Sequence, residues 1–327
     1  MAKKYDVVGV GSALLDMTLN VEDDFLKKLG LHKGEMALVD EQRFEKILDE
    51  IKGLETKRSS GGSVANSMIG ISRLGGKAMF IGKVGKDASG KVYKELLAKS
   101  GVTPVLSTHE KMTGTAITFV TPDSERSFAT YLGAASFLTE EDIHEEHVND
   151  AKILHLEGYL LDVPSLREAA IKAMRIAKKA GMKVSLDLSD PGVVRRHRDI
   201  LNGIVNDYAD IVFANESEAK EYAGLEEEQA LDKISTMCEV AIVKLGEKGS
   251  LIKKDGKTYR IPIQRVSVAN TNGAGDAYAA GILFAIANKL DLESAGKIAA
   301  YISAQVVASH EATVSRDLRK EIEKMLR

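Results

Sequence analysis

The chain has 327 residues, 44% hydrophobic and 28% charged, and its 45 basic against 48 acidic side chains leave a formal charge of −3. This balance excludes the basic face of a phosphate-backbone binder, and no apolar run is long enough to cross a bilayer, so the expectation is a cytoplasmic enzyme acting on a small molecule, as a monomer or homodimer. Cys238 is the sole cysteine, which excludes an intramolecular disulfide framework.

The first strand is expected over Asp6–Val10, running into Gly11-Ser12-Ala13-Leu14-Leu15-Asp16. Gly9-Val10-Gly11 would need its third glycine where Leu14 stands, so the dinucleotide fingerprint fails. Gly61-Gly62-Ser63-Val64-Ala65-Asn66 reads as a loop feeding a helix. Its glycines permit close approach to a hydroxylated ligand, and Asn66 offers both a donor and an acceptor. After a strand at Ala78–Ile81, Gly85 to Val92 has P-loop spacing, but Val92 cannot ligate magnesium, so a turn before a helix around Val92–Ala98 is expected.

Thr115–Thr121 and Ser127–Leu132 alternate around Pro122-Asp123-Ser124-Glu125, predicting an antiparallel hairpin. Arg126 on it reads either as a surface arginine or as a group that reaches substrate or phosphate. His144 and His147 lie among acids without metal spacing. Strands follow at Ile153–Leu156, Lys183–Leu188, Ile211–Phe213 and Val240–Val243. Between the first two, Pro164, a Ser165/Glu168 capping box and Gly181 delimit a helix. Asn215-Glu216-Ser217-Glu218 reads equally as a helix cap and as a magnesium-organising element. Lys244-Leu245-Gly246-Glu247-Lys248-Gly249 precedes a hairpin turning at Asp255-Gly256.

Asn270-Thr271-Asn272-Gly273-Ala274-Gly275-Asp276 is the most informative stretch. Gly273 and Gly275 let the backbone turn tightly, and the small residues from Asp276 to Phe284 predict a helix starting there. Its unpaired first-turn N–H groups and positive dipole end suit a transferring phosphate, with Asp276 beside it as a base. Strands alternating with helices imply a parallel sheet, whose ligands bind at the strands' carboxyl ends. Gly11, Asn215 and Gly246 each follow a strand there.

These segments together resemble the ribokinase-like (phosphofructokinase-B-type) carbohydrate and nucleoside kinases over nearly the whole chain. The resemblance implies an α/β, doubly wound, mostly parallel central sheet with helices on both faces and a small β-sheet lid. It places residues 1–16, 39–102 and 134–327 in a nucleotide-binding core and residues 17–38 and 103–133 in the lid. Asp276 becomes the base, and Gly273, Ala274 and Gly275 the anion hole. Ser12, Asp16, Gly61, Gly62, Asn66, Arg126 and Tyr159 hold the acceptor. Asn215, Glu218, Lys244, Gly246, Gly249 and Asn272 serve the donor nucleotide, with Glu218 organising Mg2+ through water. ATP and Mg2+ are the implied cofactors. A monovalent cation is left open, because Asn270 replaces the family's usual aspartate, a group associated with a cation site. Lys244 likewise replaces the usual threonine. The Thr-Asn-Gly-Ala-Gly-Asp form and Glu157-Gly158-Tyr159-Leu160 are similar to adenosine kinases and bacterial nucleoside kinases, which implies phosphorylation of the adenosine 5′-hydroxyl. A sugar kinase acting on ribose, fructose or a sugar phosphate is the alternative. A non-catalytic nucleoside- or nucleotide-binding protein on the same scaffold is the second.

Overall fold

In the computed structural model, which describes residues 3–123 and 125–326, the apolar runs become strands because branched side chains pack well on a pleated surface. The strands are β1 (Tyr5–Val10), β2 (Leu14–Asn20), β3 (Met36–Leu38), β4 (Lys57–Gly61), β5 (Ala78–Gly85), β6 (Val102–His109), β7 (Gly114–Val120), β8 (Arg126–Tyr131), β9 (Ala151–Glu157), β10 (Lys183–Asp187), β11 (Ile211–Asn215), β12 (Val240–Lys244), β13 (Ser250–Lys254) and β14 (Lys257–Ile261).

A nine-stranded sheet has the order β14-β13-β12-β11-β10-β9-β1-β5-β6. Pairing from β6 to β12 is parallel, and β13 and β14 extend it as an antiparallel hairpin. Asp255 and Gly256 both have positive φ at its tip, as a type I′ turn requires. Successive side chains leave opposite faces of a strand. Val7, Ile153, Phe213 and Ile242 therefore enter one core beneath the helices Ser63–Arg73, Ala274–Ala287 and Leu292–Val307. Val8, Leu154, Val212 and Val243 enter the other, beneath Pro164–Lys179, Pro191–Asp207 and Glu216–Ala223. Burial on both faces explains the near-continuous apolar runs of these strands.

The second sheet has the order β3-β8-β7-β2-β4. Leu15, Ile117 and Ala129 are buried on one side of it, where Phe44 of the helix Glu41–Glu50 stacks on Tyr131 with ring centroids 4.7 Å apart. On the opposite side the register aligns Asp16 with Ser59 and Ala116, and Ala116 with Thr130.

Several boundaries differ from expectation. Leu14–Asp16, assigned to the core, start a strand of the small sheet, and Lys57–Gly61 join it by pairing with β2. Thr103–His109, assigned to the lid, lie in edge strand β6 of the large sheet. Val163 caps the helix at Pro164 without a side-chain bond, and Ser165 Oγ donates to the Ser136 carbonyl at 3.0 Å rather than forming a capping box. Ser124 of the β7–β8 turn lies outside the described residues.

Candidate active site

Close helix packing places Asp276. A Cβ on Gly70 would come within 2.6 Å of the Ala280 Cβ, and one on Gly281 within 2.4 Å of the Ala299 Cα, so these glycines allow the Ala274–Ala287 helix to nest against its two neighbours. Its start is fixed by Gly273, whose φ of 78° suits glycine and whose Cβ would meet the Ala312 carbonyl oxygen at 1.9 Å. Gly273 is the N-cap and the helix begins at Ala274, two residues ahead of expectation. No side chain caps it, and the N–H groups of Gly275 and Asp276 have no partner among the described residues. The Ala274 N–H turns back to the Thr271 carbonyl at 3.3 Å, so of the expected anion hole the Gly273 and Gly275 donors stand open among the described residues, joined by that of Asp276.

The Asp276 carboxylate is held from the N-terminus of the Ser63–Arg73 helix. Ser63 Oγ donates to its Oδ1 at 2.7 Å and Asn66 Nδ2 to its Oδ2 at 2.9 Å, while Ser67 Oγ donates to its backbone carbonyl at 3.1 Å. Burial pushes the carboxyl above its usual range; these two side-chain bonds and the Lys244 ammonium oppose the rise, and Asp187 adds to it. Asn66 Oδ1 is buried without a partner.

Asp16 comes from the small sheet. A Cβ on Gly61 would lie 2.2 Å from its Oδ1 and 2.3 Å from its Cγ, so the side chain occupies the space that glycine leaves open. Gly62, at φ 93°, lets the Ser12 carbonyl approach where its own Cβ would sit 2.2 Å away. Burial, then repulsion from Asp276, pushes Asp16 up to about 7. Glu157 ends β9 and is 2% exposed; its Oε1 accepts from the Ser12 N–H at 3.0 Å and its Oε2 from the Val64 N–H at 3.1 Å. It ties the first loop to the Ser63 helix, and burial pushes it up to about 7 against those bonds.

Lys244 turns inward. Its Nζ donates to Asp187 Oδ2 at 2.8 Å and lies 3.2 Å from the position a Cβ on Gly275 would take, beside the open N–H groups. Burial works against its charge, but Asp187 and Glu218 outweigh burial and hold it above the ordinary lysine value. Asp187 ends β10, and its Oδ1 accepts from the Ser189 N–H at 2.9 Å. Asn215 and Glu218 form a complete capping box: Asn215 Oδ1 accepts from the Glu218 N–H at 2.8 Å, and Glu218 accepts from the Asn215 N–H at 2.7 Å and Nδ2 at 2.6 Å. Burial, with Asp187 beside it, pushes Glu218 up to about 7. Each Glu218 oxygen already accepts one bond, and no group of three metal-ligating side chains occurs among the described residues. These residues fit an ion held through its water shell, as Mg2+ commonly is.

The remaining expected residues come from three loops and from the start of β8. Gly246 opens a short 3-10 helix, Gly246–Lys248, and Gly249 follows at φ 91°, where a Cβ would meet the Ile261 carbonyl oxygen at 2.1 Å. Asn272 is exposed, and Asn270 Oδ1 accepts from its N–H at 3.0 Å. Tyr159 is 41% exposed, with its hydroxyl on the Ser189 carbonyl at 3.1 Å. Arg126 Nη2 reaches from the small sheet to the His310 carbonyl at 3.4 Å, two residues from the Ala312 carbonyl packed on Gly273. The sequence reading missed Glu157, Asp187 and Ser63 as site groups, although Glu157 and Ser63 lie within stretches that it singled out; the signal for Asp187 was its position at the carboxyl end of a strand.

An open helix N-terminus, a carboxylate beside it, a lysine over the same space and buried acids opposite suit phosphoryl transfer. The pattern of the pfkB family carbohydrate kinases matches residues 34–318. The chain belongs to that family. This kinase is thus an ATP-dependent phosphotransferase acting on an alcohol group. The 5-dehydro-2-deoxygluconokinase of Clostridium perfringens is 30% identical over 323 residues, which cover 94% of this kinase and 88% of that protein. The structure of an adenosine kinase from Sinorhizobium meliloti matches with a TM-score of 0.89 and 32% identity, over 98% of this chain and 99% of that one. That of a probable sugar kinase from Rhizobium etli matches at 0.90 and 33%, over 98% of each. No helix among the described residues is long and apolar enough to cross a membrane.

Proposed function

We propose that this kinase transfers the terminal phosphoryl of ATP to a primary hydroxyl of a sugar or sugar acid. The observation that carries the reading is Asp276 itself: a carboxylate at an uncapped helix start, adjoining open N–H groups and Lys244, with Asp16 approaching from the small sheet. Asp16 and the buried Asn66 Oδ1 accept hydrogen bonds from acceptor hydroxyls, which fixes one hydroxyl against Asp276. Asp276 takes that hydroxyl's proton as its oxygen attacks phosphorus. The Gly275 and Asp276 N–H groups, Lys244 and Arg126 then stabilise charge on the transferring group. Glu218 and Asp187 would hold Mg2+ through its water shell, and the ion would supply further charge neutralisation when bound with ATP. The small sheet acts as a lid, and its closure excludes water that would otherwise receive the phosphoryl group.

Two observations support a sugar over a nucleoside. The residues in register around Asp16 are Ser59 and Ala116, small side chains that leave room for hydroxyls rather than an aromatic platform for a base. The Clostridium relative is named for a sugar-acid substrate. Adenosine is the second reading, favoured by the likeness to the Sinorhizobium adenosine kinase and by Tyr159, whose exposed ring could carry a purine.

The test is steady-state ADP formation with ATP and Mg2+ against 5-dehydro-2-deoxygluconate, other sugar acids, ribose, fructose and adenosine. Turnover with a sugar or sugar acid at a kcat/KM well above that for adenosine supports the reading. A preference for adenosine moves the acceptor to the nucleoside, and ligand-induced stabilisation without turnover on any acceptor favours a binding protein.

A further inference from the structure

We propose that Ser63 is a positioning residue for the base: its hydroxyl holds the Asp276 carboxylate in the orientation and ionised form needed for proton acceptance. The inference rests on the phosphotransferase reading of the site. Ser63 is the first residue of its helix, and Gly62, its N-cap, has no side chain to offer, so the serine hydroxyl is not engaged in capping its own helix. It points instead across 213 residues of sequence to Asp276 Oδ1 at 2.7 Å. Asn66 holds Oδ2 at 2.9 Å from one turn further along the same helix. The two donors fix the carboxylate plane from one side, while each oxygen keeps a lone pair for the acceptor hydroxyl. Their roles differ, because Asn66 also carries a buried Oδ1 with no partner among the described residues. The Ser63 hydroxyl makes no other hydrogen bond among the described residues, so it can be tested alone.

The charged and titratable groups acting on Asp276 come from five other elements. Asp187 on β10 and Asp16 on β2 repel it, as does Glu157 at the end of β9, and Lys244 on β12 attracts it. Tyr159, on the 3-10 helix Gly158–Asp162, feels the same field. A donor hydroxyl at 2.7 Å favours the ionised form against that acidic surround. Its removal raises the pH at which Asp276 deprotonates and frees the carboxylate to rotate.

The experiment compares wild type, Ser63→Ala and Ser63→Thr by two readouts. The first is a 13C NMR titration of aspartate-labelled protein, with Asp276→Asn identifying the Asp276 signal; it needs no substrate. The Ser63→Ala midpoint should move to higher pH and the Ser63→Thr midpoint stay with wild type. The second is the pH profile of kcat/KM for the best acceptor. Its acidic limb should move in the same direction in Ser63→Ala, with kcat near neutrality down about tenfold or more, KM for ATP unchanged and Ser63→Thr restoring most of the rate. An unmoved Asp276 midpoint, or a Ser63→Ala rate profile superimposable on wild type, overturns the proposal. A wild type silent on every acceptor defeats the functional reading instead, and the NMR titration then decides the Ser63 contact by itself.

Discussion

Gly61→Ala should damage acceptor use through one side chain, that of Asp16. The added Cβ would stand 2.2 Å from Asp16 Oδ1 and 2.3 Å from its Cγ and Oδ2, whereas non-bonded heavy atoms settle at about 3.5 Å. The carboxylate must therefore withdraw by more than about 1 Å, and a misplacement of that size costs on the order of 10²-fold, about 2.7 kcal/mol. The backbone itself has no objection, since Gly61 does not occupy the left-handed region and alanine suits a strand better than glycine. Tyr93 donates to the Gly61 carbonyl at 3.1 Å, a bond that the methyl group leaves in place. We expect kcat/KM for the acceptor to fall about a hundredfold, with KM for ATP and the melting temperature nearly unchanged. Double-mutant analysis isolates the cause. In an Asp16→Ala background the obstructed carboxylate is gone, so adding Gly61→Ala should change kcat/KM by less than about 0.5 kcal/mol. A single variant within threefold of wild type, or full additivity with Asp16→Ala, would refute the reasoning.

Lys244→Met should lower both stability and ATP use, because it leaves Asp187 buried without its ion pair, a loss of about 3 kcal/mol; thermal melts should find stability largely recovered in Asp187→Asn/Lys244→Met, while kcat/KM for ATP stays at least about tenfold down. Asp16 has its folded value raised from 3.8 to about 7, so the stability it contributes is full below its unfolded value and lost as pH rises through its folded one. Accordingly the melting temperature of Asp16→Asn relative to wild type should climb between those two pH values and level off above them, and a flat difference would contradict the burial argument. Asn270 Nδ2 donates to the carbonyls of Glu311 and Asn272 at 3.4 and 3.5 Å. Asn270→Asp would set a carboxylate against both carbonyls, so its activity should acquire a potassium dependence that exceeds that of wild type in a salt titration at fixed ionic strength.

Most of the large sheet was legible because its inner parallel strands are buried on both faces, and runs such as Ile211–Phe213 and Val240–Val243 carry that burial in their composition. The small sheet was half legible. Lys57-Arg58-Ser59-Ser60-Gly61 has no apolar pattern and becomes a strand only because β2 pairs with it, whereas the mixed run of β6 looks like a lid strand but lies at the large sheet's edge. Asp276 and its turn were readable because glycines, acid and helix start are contiguous. Glu157 and Asp187 are single acids at the ends of strands from different parts of the chain, and only folding brings them beside Ser12 and Lys244. The Asn215/Glu218 pair illustrates the opposite case: the cap is fully formed, as the local reading of the four residues expects.

The most direct test of the account is Asp276→Asn, assayed for ADP formation with the preferred acceptor and, in parallel, for ATP binding by calorimetry. We predict turnover down by about 10²–10⁴-fold with ATP affinity within a few-fold of wild type, since the open N–H groups and Lys244 remain in place. Near-normal turnover in that variant would contradict the assignment of Asp276 as the base.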